Sequence, residues 1–308
     1  MFAAMIKKHT VLVLGAGASV PYGFPTGHEL KWQIIGAAHN RQVQPYQDIR
    51  RAIAACKVNE DTLKEFGRAL QHSGSRSVDD FLEYRMDFLD VGKIAIASAL
   101  VRCEKLARLF PQDGDLYQRI FAALKAPRDH WQENKLTVVT FNYDRSLDHY
   151  CTTALAHAFK LDPLEALAVF RSAVQVIHVY GALGAYPAQR GYDVSNESAA
   201  IRVASDGIKI LHEKSTLQDT AFDDARVALS RAGRIYFLGF GFLAQNVTRL
   251  LDGVEFARDA GIYASRYGMT DEEMRAAKKM FFKQATHFDE SRDRDALAAL
   301  REMPALDQ

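Results

Sequence analysis

The chain has 308 residues, 48% of them hydrophobic, with a formal net charge of +1 and three cysteines. That is ample for a substantial core, either one large α/β domain with a helical insertion or two smaller domains, and it gives no bulk electrostatic pointer to nucleic acid. Cys56, Cys103 and Cys151 are too scattered for a disulfide framework or a zinc cluster. No stretch approaches the ~18 uncharged apolar residues of a membrane span, and Lys7-Lys8-His9 before a short strand is not a secretory signal, so the expected compartment is the reducing cytoplasm.

Val11-Leu12-Val13-Leu14 running into Gly15-Ala16-Gly17-Ala18-Ser19 reads as a buried strand followed by a turn whose missing side chains let backbone N–H groups approach a phosphate. Past the turn, Pro25 and Thr26 open an amphipathic helix with Leu30, Ile34 and Ile35 on one face; Thr26 and Glu29 have capping-box spacing. Residues 41–130 read as a helical insertion: Asp61 to Leu70, a long helix opened by Ser77 with Phe81, Tyr84, Phe88 and Val91 in phase, and Asp115 to Lys125. Strand character returns at Leu136 to Phe141, continuous rather than alternating, as expected of a parallel strand covered on both faces, and ends in Asn142-Tyr143-Asp144. A helix over 145–159 follows, Asp162-Pro163 starts another, and Val174 to Val179 forms a strand ending in Tyr180-Gly181. Residues 184–200 read as a loop, with a further β segment at Ile208 to His212.

A helix over 220–232 stops at Gly233 and passes into the strand Arg234 to Leu238, closed by Gly239-Phe240-Gly241. Ile262 to Ala264 reads as a short edge strand; Thr270 caps a helix carrying Met274, Ala277 and Phe281, and the tail is charged and helical. The divisions expected are therefore an α/β core over 1–40 and 131–285, the insertion 41–130, and a helical tail 286–308. Four apolar strands separated by helices and ending in Gly, Asn or Tyr-Gly describe a Rossmann-like, open, mostly parallel α/β sheet with its crevice at the carboxyl ends. A hydride-transfer enzyme is disfavoured. Val20 occupies the third glycine position, and no acidic strand end follows about 20 residues on.

Four strings in this order, Gly15 to Ser19 with Pro25-Thr26, Thr140 to Asp144, His178 to Gly181, and Leu238 to Phe242 with Gln245-Asn246, resemble the bacterial sirtuin-like family, in particular the NAD-hydrolysing domains of anti-phage defence systems. The resemblance implies a sirtuin-like fold. It implies NAD+ as substrate with no metal, its pyrophosphate on the glycine loop (Gly15, Ala16, Gly17, Ala18, Ser19) and its ribose near Asn142 and the histidine motif. It further implies an NAD glycohydrolase releasing nicotinamide and ADP-ribose, acting as a defence effector by NAD depletion. The expected assembly is a homo-oligomer, with a ring-forming ATPase or an Argonaute-like protein as partner and no direct contact to membrane or nucleic acid. A deacylase is disfavoured, because three scattered cysteines cannot supply the four-cysteine zinc module of protein-deacylating sirtuins.

Asn142 matches the family's functional asparagine, and an amide can orient both ribose and water while staying neutral. The same residue type also closes strand-to-helix turns. Asp144 either supports the water or caps the following helix. The chain departs from the family where the catalytic histidine precedes glycine. Tyr180 stands there, and His178 lies two residues earlier on the same strand face, within reach of the crevice if the face is shared. Gly181, Gly239, Phe240 and Gly241 bring strand ends close to the ligand, and Gln245 and Asn246 add polar contacts. Tyr22, Phe24, Tyr186 and Tyr192, all in loops, are candidates for the base pockets. The competing function is a regulatory or assembly subunit that binds NAD or ADP-ribose with Tyr180 marking lost catalysis.

Overall fold

The computed structural model describes residues 5–112, 114–187, 189–193, 198–210, 220–281 and 284–307. Its centre is an open sheet of six parallel strands: β1 (Thr10–Leu14), β2 (Leu136–Thr140), β3 (Val174–His178), β4 (Arg234–Leu238), β5 (Gly261–Ala264) and β6 (Thr286–Phe288). The order is β3-β2-β1-β4-β5-β6, every pair parallel. β1 is buried along its whole length and β4 is buried from Ile235 onward, which is why both read as unbroken apolar runs. Chain direction across the sheet reverses between β1 and β4, so their carboxyl ends form the topological switch point where open α/β sheets take ligands.

The Rossmann-like class predicted above is the observed one. Two details differ. β5 lies inside the sheet, because β6, hidden in the expected tail, pairs with it through Ile262 and Thr286. Only Ile208 of the expected segment at 208–212 forms a bridge, to Gly181, and the last two positions lie outside the described residues.

Between β1 and β2 run α1 (Gly27–Ala38), α2 (Tyr46–Ala55), α3 (Glu60–His72), α4 (Val78–Tyr84), α5 (Leu89–Val101), α6 (Leu106–Leu109) and α7 (Leu116–Ala123). The long helix expected from Ser77 is broken at Arg85, whose non-helical backbone (φ −122°, ψ +64°) and a 3-10 turn at Met86–Phe88 separate α4 from α5. α5 is apolar all round and correspondingly buried, packed against α1, α2, α3 and α10 (Ser198–Gly207). α10 begins within the stretch expected to be loop. The remaining helices are α8 (Ser146–Phe159), α9 (Pro163–Ala173), α11 (Thr220–Arg231), α12 (Ala244–Leu251), α13 (Asp271–Met280) and α14 (Ala296–Glu302).

One buried apolar cluster runs through sheet and helical region alike. The tail docks on the core: the Tyr236 hydroxyl donates to the Pro304 carbonyl at 2.9 Å and the Arg234 guanidinium to that of Ala305 at 2.9 Å. Among the described residues no helix is long and apolar enough to cross a membrane.

Candidate functional site

The loops after β1 and β4 are packed backbone to backbone. The Gly15 N–H donates to the Leu238 carbonyl at 3.1 Å and the Gly17 N–H to that of Gly239 at 3.0 Å. A Cβ on Gly17 would lie 2.8 Å from Gly239 Cα, and one on Gly239, whose φ is +59°, would lie 2.1 Å from the Ala18 nitrogen. These glycines are therefore dictated first by contact between the two loops. Gly241 is different, since a Cβ there meets nothing within 4 Å. The glycine loop itself forms a 3-10 turn, Ala16–Ala18, and a second turn, Val20–Tyr22, lies between it and α1, so the helix is not reached directly. Its capping box is formed: Thr26 Oγ1 accepts from the Glu29 N–H at 3.2 Å, and Glu29 Oε2 accepts from the Thr26 N–H at 2.8 Å.

Above the switch point lies a cavity of about 1070 Å³. Of the residues singled out in the sequence, Gly15, Ala16, Gly17, Thr26, Asn142, Tyr180, Gly239, Phe240, Gly241, Gln245 and Asn246 line it. Asn142 donates both amide hydrogens inward, to the Gly15 carbonyl at 2.9 Å and to Ser19 Oγ at 2.9 Å. Its Oδ1 accepts no hydrogen bond among the described residues. Ser19 Oγ in turn donates to Asp144 Oδ2 at 2.8 Å, and Asp144 Oδ1 accepts from the Ser146 N–H at 3.1 Å and from its hydroxyl. With both oxygens engaged, buried Asp144 accepts the first N–H of α8 and holds Ser19; it is not part of the cavity wall.

His178 is also outside the wall. Its Nδ1 bonds the Asn142 carbonyl oxygen at 3.0 Å and its Nε2 faces Asp148 Oδ2 at 3.6 Å, which turns the ring toward α8 and away from the cavity. Sharing a strand face with position 180 did not bring it in, because β3 ends at His178 and the backbone turns at Tyr180-Gly181, with φ +73° at the glycine. Burial lowers the imidazole pKa, but the Asp148 hydrogen bond and charge and the Asn142 carbonyl outweigh it, leaving the pKa above its ordinary value.

Tyr180 does face the site. Its hydroxyl donates to Asn246 Oδ1 at 2.7 Å and accepts from Arg249 at 3.2 Å; burial outweighs the guanidinium and pushes the phenol up to about 12.

Other expected contacts are structural. Ala18 and Ser19 are buried beneath the loop, Pro25 lies outside the wall, and a Cβ on Gly181 would strike the Gly207 carbonyl at 2.1 Å. Tyr22 stacks on Tyr117 at 3.9 Å and bonds Asp115, while Tyr192 stacks on His149 at 4.4 Å and the Tyr186 hydroxyl bonds that ring at 2.8 Å. Phe24 is buried in the core, so none of the four lines the cavity.

The opposite wall escaped the sequence analysis. It comes from Asp79, Asp80 and Glu83 on α4 of the helical region, with His28, Lys31 and Trp32 on α1. Arg249 grips Glu83 through two bonds at 2.9 and 3.0 Å, and Gln245 also donates to Glu83, so α12 and α4 are joined across one end of the cavity. The i, i+4 spacings 79/83 and 245/249 put each pair on one helix face. Nothing in the sequence says that those faces meet. α12 has no side-chain N-cap, and the Ala244, Gln245 and Asn246 N–H groups make no backbone hydrogen bond among the described residues. No protein-family model matches the chain, and no curated protein matches it. What fold and site define is a Rossmann-like α/β protein with a cavity of mixed apolar and charged lining at its switch point.

Proposed function

We propose that the chain binds NAD across the ends of β1 and β4 and hydrolyses it to nicotinamide and ADP-ribose. The observation carrying this reading is that one cavity collects the two glycine loops, the uncapped N-terminus of α12 and the unclaimed Oδ1 of Asn142. Free helix N–H groups suit a pyrophosphate. Asn142 Oδ1 suits a ribose hydroxyl or the attacking water, and because its amide group is tied to Gly15 and Ser19 it is held in place before substrate arrives. His178, bonded to the Asn142 carbonyl, acts as a positioning residue for that loop.

The biological role we assign is NAD depletion by a cytoplasmic anti-phage effector, working as a homo-oligomer or beside a ring-forming ATPase or Argonaute-like protein; its support is the four-motif resemblance. One observation favours a second reading. With His178 turned away and Tyr180 in its place, a regulatory subunit that binds NAD or ADP-ribose without cleaving it fits the same cavity. Purified protein, alone and with candidate partners, is incubated with NAD while nicotinamide release is followed, and NAD and ADP-ribose binding are measured by calorimetry. Release supports the hydrolase, and binding without release under every condition supports the regulatory subunit. Absence of binding sinks both.

A further inference from the structure

The following rests on the hydrolase reading. We propose that Asp79, contributed by α4 of the helical region, is the catalytic carboxylate that accepts the proton of the attacking water and faces the positive charge that grows on the ribose.

The chemistry calls for such a group. A water oxygen bonds to the anomeric carbon as the carbon–nitrogen bond breaks, the bond pair passes to the pyridinium nitrogen and neutralises it, and the water gives up a proton. The histidine of the motif is unavailable, because both His178 ring nitrogens face Asn142 and Asp148 outside the cavity. Tyr180 is a neutral phenol fixed between Asn246 and Arg249. That leaves the acidic wall and His28. His28 is exposed on the first turn of α1, edge-on to Trp32 at 6.2 Å.

The three carboxylates are not equivalent. Glu83 is neutralised by Arg249, and Asp80 Oδ2 accepts the Arg76 N–H at 3.1 Å at the start of α4. Asp79 pairs with no cation among the described residues. It accepts the hydroxyl of Tyr143, the residue that follows Asn142, and it lines the same cavity as the asparagine that is to hold ribose and water. A carboxylate so placed can both take the proton and oppose a cationic transition state. Burial, with Glu83 and Asp80 as like-charged neighbours, raises the Asp79 pKa above the usual carboxylate range despite the Tyr143 bond, which improves it as a base. The other charged groups on the cavity wall are Lys31 and Arg76; Lys31 donates to the Ser75 carbonyl at 2.5 Å.

The test is the pH profile of nicotinamide release by the full chain, with ADP-ribose affinity as the check on folding and binding. Asp79→Asn, which keeps an acceptor for Tyr143, is expected to lower kcat at least about 100-fold, with ADP-ribose affinity within about threefold of wild type and the acid limb gone. Tyr143→Phe removes a bond that favours the carboxylate, so the acid limb should move to higher pH. Turnover and acid limb both retained in Asp79→Asn, or an acid limb lost in His28→Ala but kept in Asp79→Asn, would overturn the Asp79 assignment alone. A wild type that binds NAD and releases no nicotinamide overturns the hydrolase reading and this inference together.

Discussion

The side-chain nitrogen of Asn142 lies 2.9 Å from the carbonyl oxygen of Gly15, so the loop after β2 is fastened to the loop after β1 by the side chain of a residue that also lines the cavity. Architecture and chemistry therefore share one residue, and its removal has two separable consequences. Asn142→Ala should cost about 1–3 kcal/mol in urea unfolding, because the Gly15 carbonyl and Ser19 lose their donor. Measured well below the unfolding transition, nicotinamide release should fall at least about 100-fold. Near-normal turnover in a folded variant would remove Asn142 from the reaction.

The glycines divide into packing and approach positions. Gly239→Ala places a Cβ 2.1 Å from the Ala18 nitrogen at a positive φ, so the loops must separate; a loss of about 1–3 kcal/mol or more is expected in thermal or urea unfolding. Gly17→Val meets the same neighbouring backbone and should behave similarly, which makes it a poor probe of ligand contact. Gly241→Ala meets nothing within 4 Å, so stability should stay within about 0.5 kcal/mol while NAD affinity drops. Calorimetry on Gly241→Ala showing unchanged affinity would mean that the ligand does not approach this loop.

The His178–Asp148 pair predicts a stability that depends on pH. Because the folded pKa is raised, the imidazolium contributes stability fully below the unfolded value of about 6.5 and loses it as pH rises through the folded value. Comparing urea midpoints of wild type and His178→Gln, the gap should be widest near pH 6 and shrink above neutrality. A gap constant from pH 5 to 9 would show that the ring is neutral throughout.

Tyr180 should reveal itself as a fixed hydrogen-bonding wall. Its phenol, up at about 12, does not ionise near neutrality, so Tyr180→Phe should leave the pH profile of turnover unchanged in shape between pH 6 and 9. The loss of its bonds to Asn246 and Arg249 should cost about 1 kcal/mol. A limb of the pH profile that disappears with the hydroxyl would assign Tyr180 a proton-transfer role instead.

The loop at 190–191 hangs on a buried charge cluster. Glu104, 0% exposed, accepts two bonds from Arg145 at 3.0 and 2.8 Å and one from Arg190, and Arg145 also bonds the Arg190 and Gly191 carbonyls. Glu104→Gln strands two buried guanidinium groups, and breaking such a pair costs about 3–5 kcal/mol. Equilibrium unfolding checks it; a change under about 1 kcal/mol would mean that the cluster is solvated.

By itself the sequence determined the central strands, because β1, β2 and β4 are largely covered on both faces and so carry runs of β-formers without polar alternation, and it determined caps such as Thr26–Glu29, whose partners are three residues apart. It also marked the glycine loops and Asn142 as one site, since a parallel sheet collects strand ends on one edge. It missed β6, three residues long and half exposed, where neither length nor alternation leaves a pattern. The tertiary structure decided what local spacing cannot encode: that β3 stops at His178 and turns the imidazole onto α8, that Gly17 and Gly239 touch, and that α4 brings Asp79 to the hydroxyl of Tyr143, 64 residues away in the chain. Those contacts follow from how whole elements pack, and a helix face carries no record in its own sequence of which face it will meet.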